Sequence, residues 1–136
     1  MGGNSTDGLI GLKEGCLNSK VYRTLFVDDD AVCRKATKDL LEDLSCKVDV
    51  ATTAQQAIGL LKNQYDIIFM DIGLPDKDGI ALAREIKEVL NIDTPIVAIT
   101  ASAWNIRVYN EVGIVGLIRK PLTRKKMAYA LVRFSQ

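Results

Sequence analysis

Four short apolar runs in this chain each lead into a polar residue able to do chemistry. Thr24-Leu25-Phe26-Val27 runs into Asp28, Asp29 and Asp30. Ile67 to Met70 runs into Asp71, Ile96 to Ile99 into Thr100, and Val115 to Ile118 into Arg119, Lys120 and Pro121. Carboxylates gathered within a few ångströms repel one another and stay ionised only beside a counter-charge. A divalent cation supplies that charge economically, and an all-oxygen site with room for water suits Mg²⁺. A lysine on the same rim balances the remainder. In that setting Asp71 is a candidate nucleophile toward a phosphoryl group, giving an aspartyl phosphate. Metal and lysine would neutralise the phosphoryl oxygens, with Thr100 donating a hydrogen bond to one of them. A single strand-end aspartate is an ordinary turn residue; the signal is the convergence of four ends.

That convergence requires the runs to be parallel strands. Asp66 to Gly79 organises the chain: a run with the length and flanks of a fully buried strand delivers Asp71 at its carboxyl end, and Gly73, Pro75 and Gly79 force a loop after it. Before it, a helix carries Val32, Ala36, Leu40 and Leu44 at helical spacing, and Cys46 to Val50 makes a second strand. Thr53 is an N-cap for a helix from Ala54 to Asn63 with Ala57, Ile58 and Leu61 on its apolar face. Later helices are expected at Ile80–Leu90 (Leu82, Ile86, Val89 and Leu90 apolar), Ser102–Val112 and Thr123–Phe134 (Met127, Leu131 and Phe134 toward the core). Alternating strands and helices predict an α/β fold, a doubly wound five-stranded parallel sheet with helices on both faces. Its strand carboxyl ends share one edge, where such sheets place their ligands.

The chain has 136 residues, 48% apolar and 26% charged, enough for one domain to bury a core unaided. A net charge of +1 argues against a dedicated nucleic-acid binder. Cys16, Cys33 and Cys46 have no metal-ligand spacing and read as free thiols of a reducing compartment. No run reaches membrane-spanning length, so a cytoplasmic domain without membrane contact is expected. Met1-Gly2 with Thr6 fits a short acylation pattern that arises often by chance. Residues 1–20 hold five of the ten glycines and are expected to be a flexible linker or tail, with the folded domain at 21–136.

V-D-D-D at the first strand, F-M-D-I-G-L-P-D-K-D-G at the third, I-T-A at the fourth and R-K-P at the fifth resemble the receiver domain of two-component response regulators. The resemblance covers about residues 22–135. It implies a flavodoxin-like sheet of order 2-1-3-4-5, with Asp71 as phosphoacceptor from a histidine kinase or histidine phosphotransfer protein. It makes Asp28 and Asp29 the acidic pair that holds Mg²⁺ with Asp71, and the Gly73 backbone carbonyl a further ligand. Thr100 matches the switch hydroxyl and Lys120 the phosphate-contacting lysine, with Pro121 beside it. Homodimerisation through the fourth helix, fifth strand and fifth helix is a habit of the family. The M-D-I-G-L-P wording looks like receivers fused to hybrid sensor kinases.

Two departures stand out. Leu117 occupies the place where the family usually carries a switch aromatic, and the Thr100–Lys120 segment is short, so the fourth helix is expected to be truncated or mobile. Gly73 and Ser102 flank the site without bulk, predicting no shield over a phosphoryl group. Arg119, Arg124, Lys125 and Lys126 read as a solvated helix start. Trp104 and Val108, one helical turn apart, fit either an exposed patch or the core. Other readings are a receiver that docks without phosphorylation, a haloacid dehalogenase-type phosphatase and a flavin-binding flavodoxin-like module. The phosphatase needs an acid–base carboxylate where this chain has Gly73. The flavin module needs a phosphate cradle where this chain has three aspartates.

Overall fold

The computed structural model describes residues 21–101 and 106–135. Its elements run β1 (Tyr22–Val27), α1 (Ala31–Asp43), β2 (Cys46–Ala51), α2 (Ala54–Leu60), β3 (Ile67–Asp71), α3 (Gly79–Arg84, continuing as a π-helical turn over Glu85–Val89), β4 (Ile96–Thr100), α4 (Ile106–Glu111), β5 (Ile114–Arg119) and α5 (Arg124–Phe134). The five strands are parallel in the order β2-β1-β3-β4-β5, the predicted flavodoxin-like arrangement.

Side chains alternate across each strand, so one run feeds two cores. Leu25, Val27, Ile68, Met70, Ile96 and Ala98 face α2, α3 and α4, meeting Ala54, Ala57, Leu82, Ile86 and Val112. Phe26, Ile67, Phe69, Val97 and Ile99 face α1 and α5, meeting Leu41, Leu44, Met127 and Leu131. Most of these side chains are wholly removed from water, and each large one contributes about 1.5–3 kcal/mol by its burial. Unbroken apolar strands are what burial on both faces demands.

The helix phases needed correction at two points. Val32 is 80% exposed and Ala36 is also exposed. The inward stripe of α1 is Thr37, Leu41 and Leu44 with half-buried Cys33 and Leu40, one residue later than expected over its first turns, and Asp30 is the N-cap. In the third helix Leu82 and Ile86 are buried as expected, but Val89 is 73% exposed. There Leu90 N–H bonds to Glu85 O, an i→i+5 link, and the widened turn swings Val89 away from the sheet. α2 ends at Leu60, short of Asn63, although Leu61 still packs inward. β5 starts at Ile114 rather than Val115. A bulge between the Ile96 and Val97 pairings leaves Val115 as the extra residue and turns it outward.

α4 is short among the described residues. Ser102, Trp104 and the Val108 side chain lie outside them, as do residues 1–20 with Cys16. Cys33 and Cys46 are free thiols. No helix among the described residues is long and apolar enough to cross a membrane.

Candidate functional site

Strand register assembles the site. Val27 pairs with Met70 and Asp71 with Ile99, which sets Asp28 and Asp71 at neighbouring strand ends. Thr100 pairs with Arg119, and Lys120 N–H then donates to Thr100 O at 2.8 Å, holding the fifth strand end in line. Carboxylate oxygens of Asp28, Asp29 and Asp71 lie within 4.8 Å of one another. Lys120 Nζ stands 3.1 Å from Asp71 Oδ2 and 3.2 Å from Asp28 Oδ2. Thr100 is 5% exposed at the end of β4. The sequence-predicted residues thus meet on one rim.

The three aspartates after β1 have three different fates. Asp28 is fully buried, and its Oδ1 accepts from Asp30 N–H at 2.9 Å. Asp29 is exposed toward the opening of the cluster. Asp30 caps α1, accepting from Val32 N–H at 3.0 Å and Cys33 N–H at 3.3 Å. Arg34 closes the corner by donating to Asp28 O at 3.1 Å.

Three carboxylates against one ammonium leave two negative charges uncompensated when all are ionised. Burial pushes the Asp28 carboxyl above its usual range, and the Asp71 charge adds to this; the Asp30 N–H and Lys120 act the other way. Burial alone would lower the Lys120 pKa, but the bond to Asp71 and the charges of Asp28 and Asp71 outweigh it and hold the ammonium more firmly protonated. Asp28 Oδ2 is buried and, although within ion-pair distance of Lys120, accepts no well-directed hydrogen bond among the described residues. A buried carboxylate oxygen with an unused lone pair, beside two more carboxylates, fits a hard divalent cation such as Mg²⁺.

The loop after Asp71 is closed on itself. Gly73 N–H donates to Asp71 Oδ1 at 2.8 Å, Gly73 bridges Asp78, and Gly79 N–H donates to Ile72 O at 2.9 Å. A Cβ on Gly79 would stand 2.7 Å from Ile72 Cα and 2.9 Å from Asp71 O, so only glycine fits there. At Gly73 a Cβ would meet Asp71 Oδ1 at an ordinary 3.8 Å, consistent with the expected lack of bulk over the carboxylate. Leu117, the departure noted above, is half-buried and packs against the core on the α2–α3–α4 side.

Sequence reasoning missed several supports. Lys126 does not merely face solvent: its Nζ donates to Arg119 O at 2.9 Å and Pro121 O at 3.0 Å, bracketing Lys120 and its cis bond to Pro121. Arg124 approaches Asp43 at 3.6 Å. Asp76 reaches the start of α2, accepting from Ala54 N–H at 2.8 Å and Gln55 N–H at 3.1 Å. Lys77 pairs with Glu85. No local pattern announces such contacts, because their partners lie far along the chain or on the backbone.

The response regulator receiver domain family profile matches residues 24–132. Among curated proteins, the transcription factor SKN7 of Saccharomyces cerevisiae is 31% identical over 134 residues, taking in 96% of this chain and 20% of that protein. The osmosensing histidine protein kinase SLN1 of the same yeast is 30% identical over 132 residues, taking in 90% of this chain and 11% of that protein. The chain therefore spans a fifth or less of these two relatives. Among solved structures, the chemotaxis response regulator CheY4 of Vibrio cholerae has the same fold, with a TM-score of 0.78 at 22% identity over 85% of this chain and 99% of that one. A two-component response regulator from Clostridium difficile gives a TM-score of 0.73 at 31% identity, over 82% and 93% of the respective chains. With its fold, its acidic rim and this match in agreement, the chain belongs to the response regulator receiver domain family and is a receiver of two-component phosphorelay signalling.

Proposed function

We propose that Asp71 is the phosphoacceptor and that the donor is a phosphohistidine on a histidine kinase or histidine phosphotransfer protein. The observation that carries this reading is the 3.1 Å ion pair of Asp71 with Lys120 inside the three-carboxylate cluster. A carboxylate oxygen of Asp71 attacks phosphorus, the phosphorus–nitrogen bond to the donor imidazole breaks, and the imidazole leaves with the bonding electron pair. Lys120 stands where it can stay on the phosphoryl oxygens while charge is redistributed, and the Thr100 hydroxyl donates to one of them. Asp28, Asp29, Asp71 and the Gly73 carbonyl would hold Mg²⁺, which when bound neutralises negative charge on the phosphoryl group. The product is a mixed anhydride on Asp71 that shifts the domain between two conformations. With Leu117 in place of an aromatic, that shift runs through Thr100 and the backbone.

Around this site, we take 21–136 as the receiver proper and residues 1–20, which lie outside the described residues, as a linker or tail. The likeness to a histidine protein kinase, together with the M-D-I-G-L-P wording, favours an origin as the receiver of a hybrid kinase, acting in the cytoplasm without direct contact to nucleic acid or membrane. Val115, Tyr129 and Val132 are exposed on β5 and α5, which favours this face for self-association. Intact-mass spectrometry after incubation with acetyl phosphate and Mg²⁺ tests the chemistry. One added phosphoryl group, absent in Asp71→Asn and without Mg²⁺, is expected. An unmodified wild type that also ignores beryllofluoride would favour a receiver that docks without phosphorylation.

A further inference from the structure

The loop between β3 and α3 is shaped from within by the Gly73–Asp71, Gly73–Asp78 and Gly79–Ile72 contacts. Those contacts fix its form, and β1–β3 pairing sets Asp71 beside Asp28, but neither ties the part of the loop beyond Asp71 to the rest of the domain. Two neighbouring side chains of opposite charge tie the loop outward. Lys77 pairs with Glu85 at the end of α3, within the segment the loop itself leads into. Asp76 reaches across 22 residues to Ala54 N–H and 21 residues to Gln55 N–H.

The Asp76 tie completes a circuit. Asp28 N–H donates to Ala51 O at 3.0 Å, three residues before Ala54. From Ala54 the path crosses to Asp76 and returns along the loop to Gly73, whose N–H rests on Asp71 Oδ1. The two ends of this path are the two carboxylates that must share one cation. The hydrogen bonds from Ala54 and Gln55 also hold the Asp76 carboxyl below its usual range, so it is an anion across the neutral pH range. Thr53 caps the same helix by accepting from Gln56 N–H, a bond internal to that helix, so the two caps differ in what they join.

We infer that Asp76 is a positioning residue for the divalent-cation site, holding the loop that carries the Gly73 carbonyl in place beside the Asp28, Asp29 and Asp71 carboxylates through the start of α2. This rests on the reading of the acidic cluster as that site. Without Asp76 the loop keeps its shape but is free to pivot about the end of β3, and the Gly73 carbonyl loses its fixed place beside the carboxylates.

Calorimetric titration of the whole chain with Mg²⁺ alone, well below the melting temperature, tests this. Supporting residues behind metal ligands commonly change affinity by about 10–100-fold, and Asp76→Ala is expected to weaken Mg²⁺ binding by about tenfold. Asp76→Asn, which keeps one acceptor, should fall between. Thr53→Ala removes the other cap and should lower the melting temperature while leaving Mg²⁺ affinity unchanged. Equal affinities for wild type and Asp76→Ala, or equal losses in Asp76→Ala and Thr53→Ala, would overturn the inference while Asp28→Asn still abolished binding. Absent binding by the wild type would overturn the reading of the cluster, and the inference with it.

Discussion

Gly79→Ala puts a single methyl group where the backbone of the phosphoacceptor strand already is. The new carbon would lie 2.7 Å from Ile72 Cα and 2.9 Å from both Asp71 O and Ile72 O. Non-bonded carbons rest at about 3.5–4.0 Å, so roughly an ångström must be found by moving main chain rather than a flexible side chain. Overpacking of this kind costs about 1–3 kcal/mol. For a domain of this size each kcal/mol lowers the melting temperature by about 4 °C, giving a fall of about 4–12 °C. The displaced atoms belong to Asp71 and Ile72, so phosphorylation by acetyl phosphate should slow even at temperatures where the variant is folded. Gly59→Ala is the matched control: its methyl group meets nothing within 4 Å on α2, and it should gain about 0.5–1 kcal/mol from lost backbone freedom. Thermal denaturation and a phosphorylation time course on both variants decide the matter. A Gly79→Ala protein that melts with the wild type and phosphorylates at the wild-type rate would refute the steric reasoning.

Two further perturbations follow from buried hydroxyls. Tyr109 is 2% exposed and its Oη has no hydrogen-bond partner among the described residues, so Tyr109→Phe should keep the packing, remove a desolvated hydroxyl and raise stability by about 1–3 kcal/mol in urea denaturation; a loss of stability would show that the hydroxyl is satisfied in solution. Tyr65 donates to Asp49 Oδ2 at 2.6 Å, and burial first, then that bond, pushes its hydroxyl up to about 12 from an ordinary 10.0. The folded chain therefore keeps a proton that the unfolded chain releases, and this contribution is complete below pH 10 and lost as pH rises toward 12. Denaturation curves across that window should fall less steeply for Tyr65→Phe, and identical slopes would exclude Tyr65 as the group responsible.

Much of this architecture could be read from the chain because parallel strands buried on both faces leave apolar runs with polar ends, and the sheet lines those ends up. Asp28, Asp71, Thr100 and Lys120 were legible for that reason. Helix phase was less so. Asp30 was one of three identical side chains, and only the backbone direction after β1 decides which caps, which is buried and which faces the opening. Val89 followed the helical period, but the π turn at Glu85–Val89 breaks that period without a proline or glycine to announce it. Asp76 and Lys126 were illegible for another reason: both act on backbone groups, which carry no signature in the sequence.

The site's charges arrive in a fixed order. Asp28, Asp29 and Asp71 are on the first and third strands, whereas Lys120 follows the fifth, at the sheet's edge. Synthesis proceeds from the amino end, and earlier segments can begin to associate before later ones emerge. A nascent chain that has paired β1 with β3 holds the complete acidic cluster and none of its internal counter-charge. During that interval the cluster's charge has to be met by protons or cations from solution, and Lys120 replaces part of that external charge only when the last strand docks.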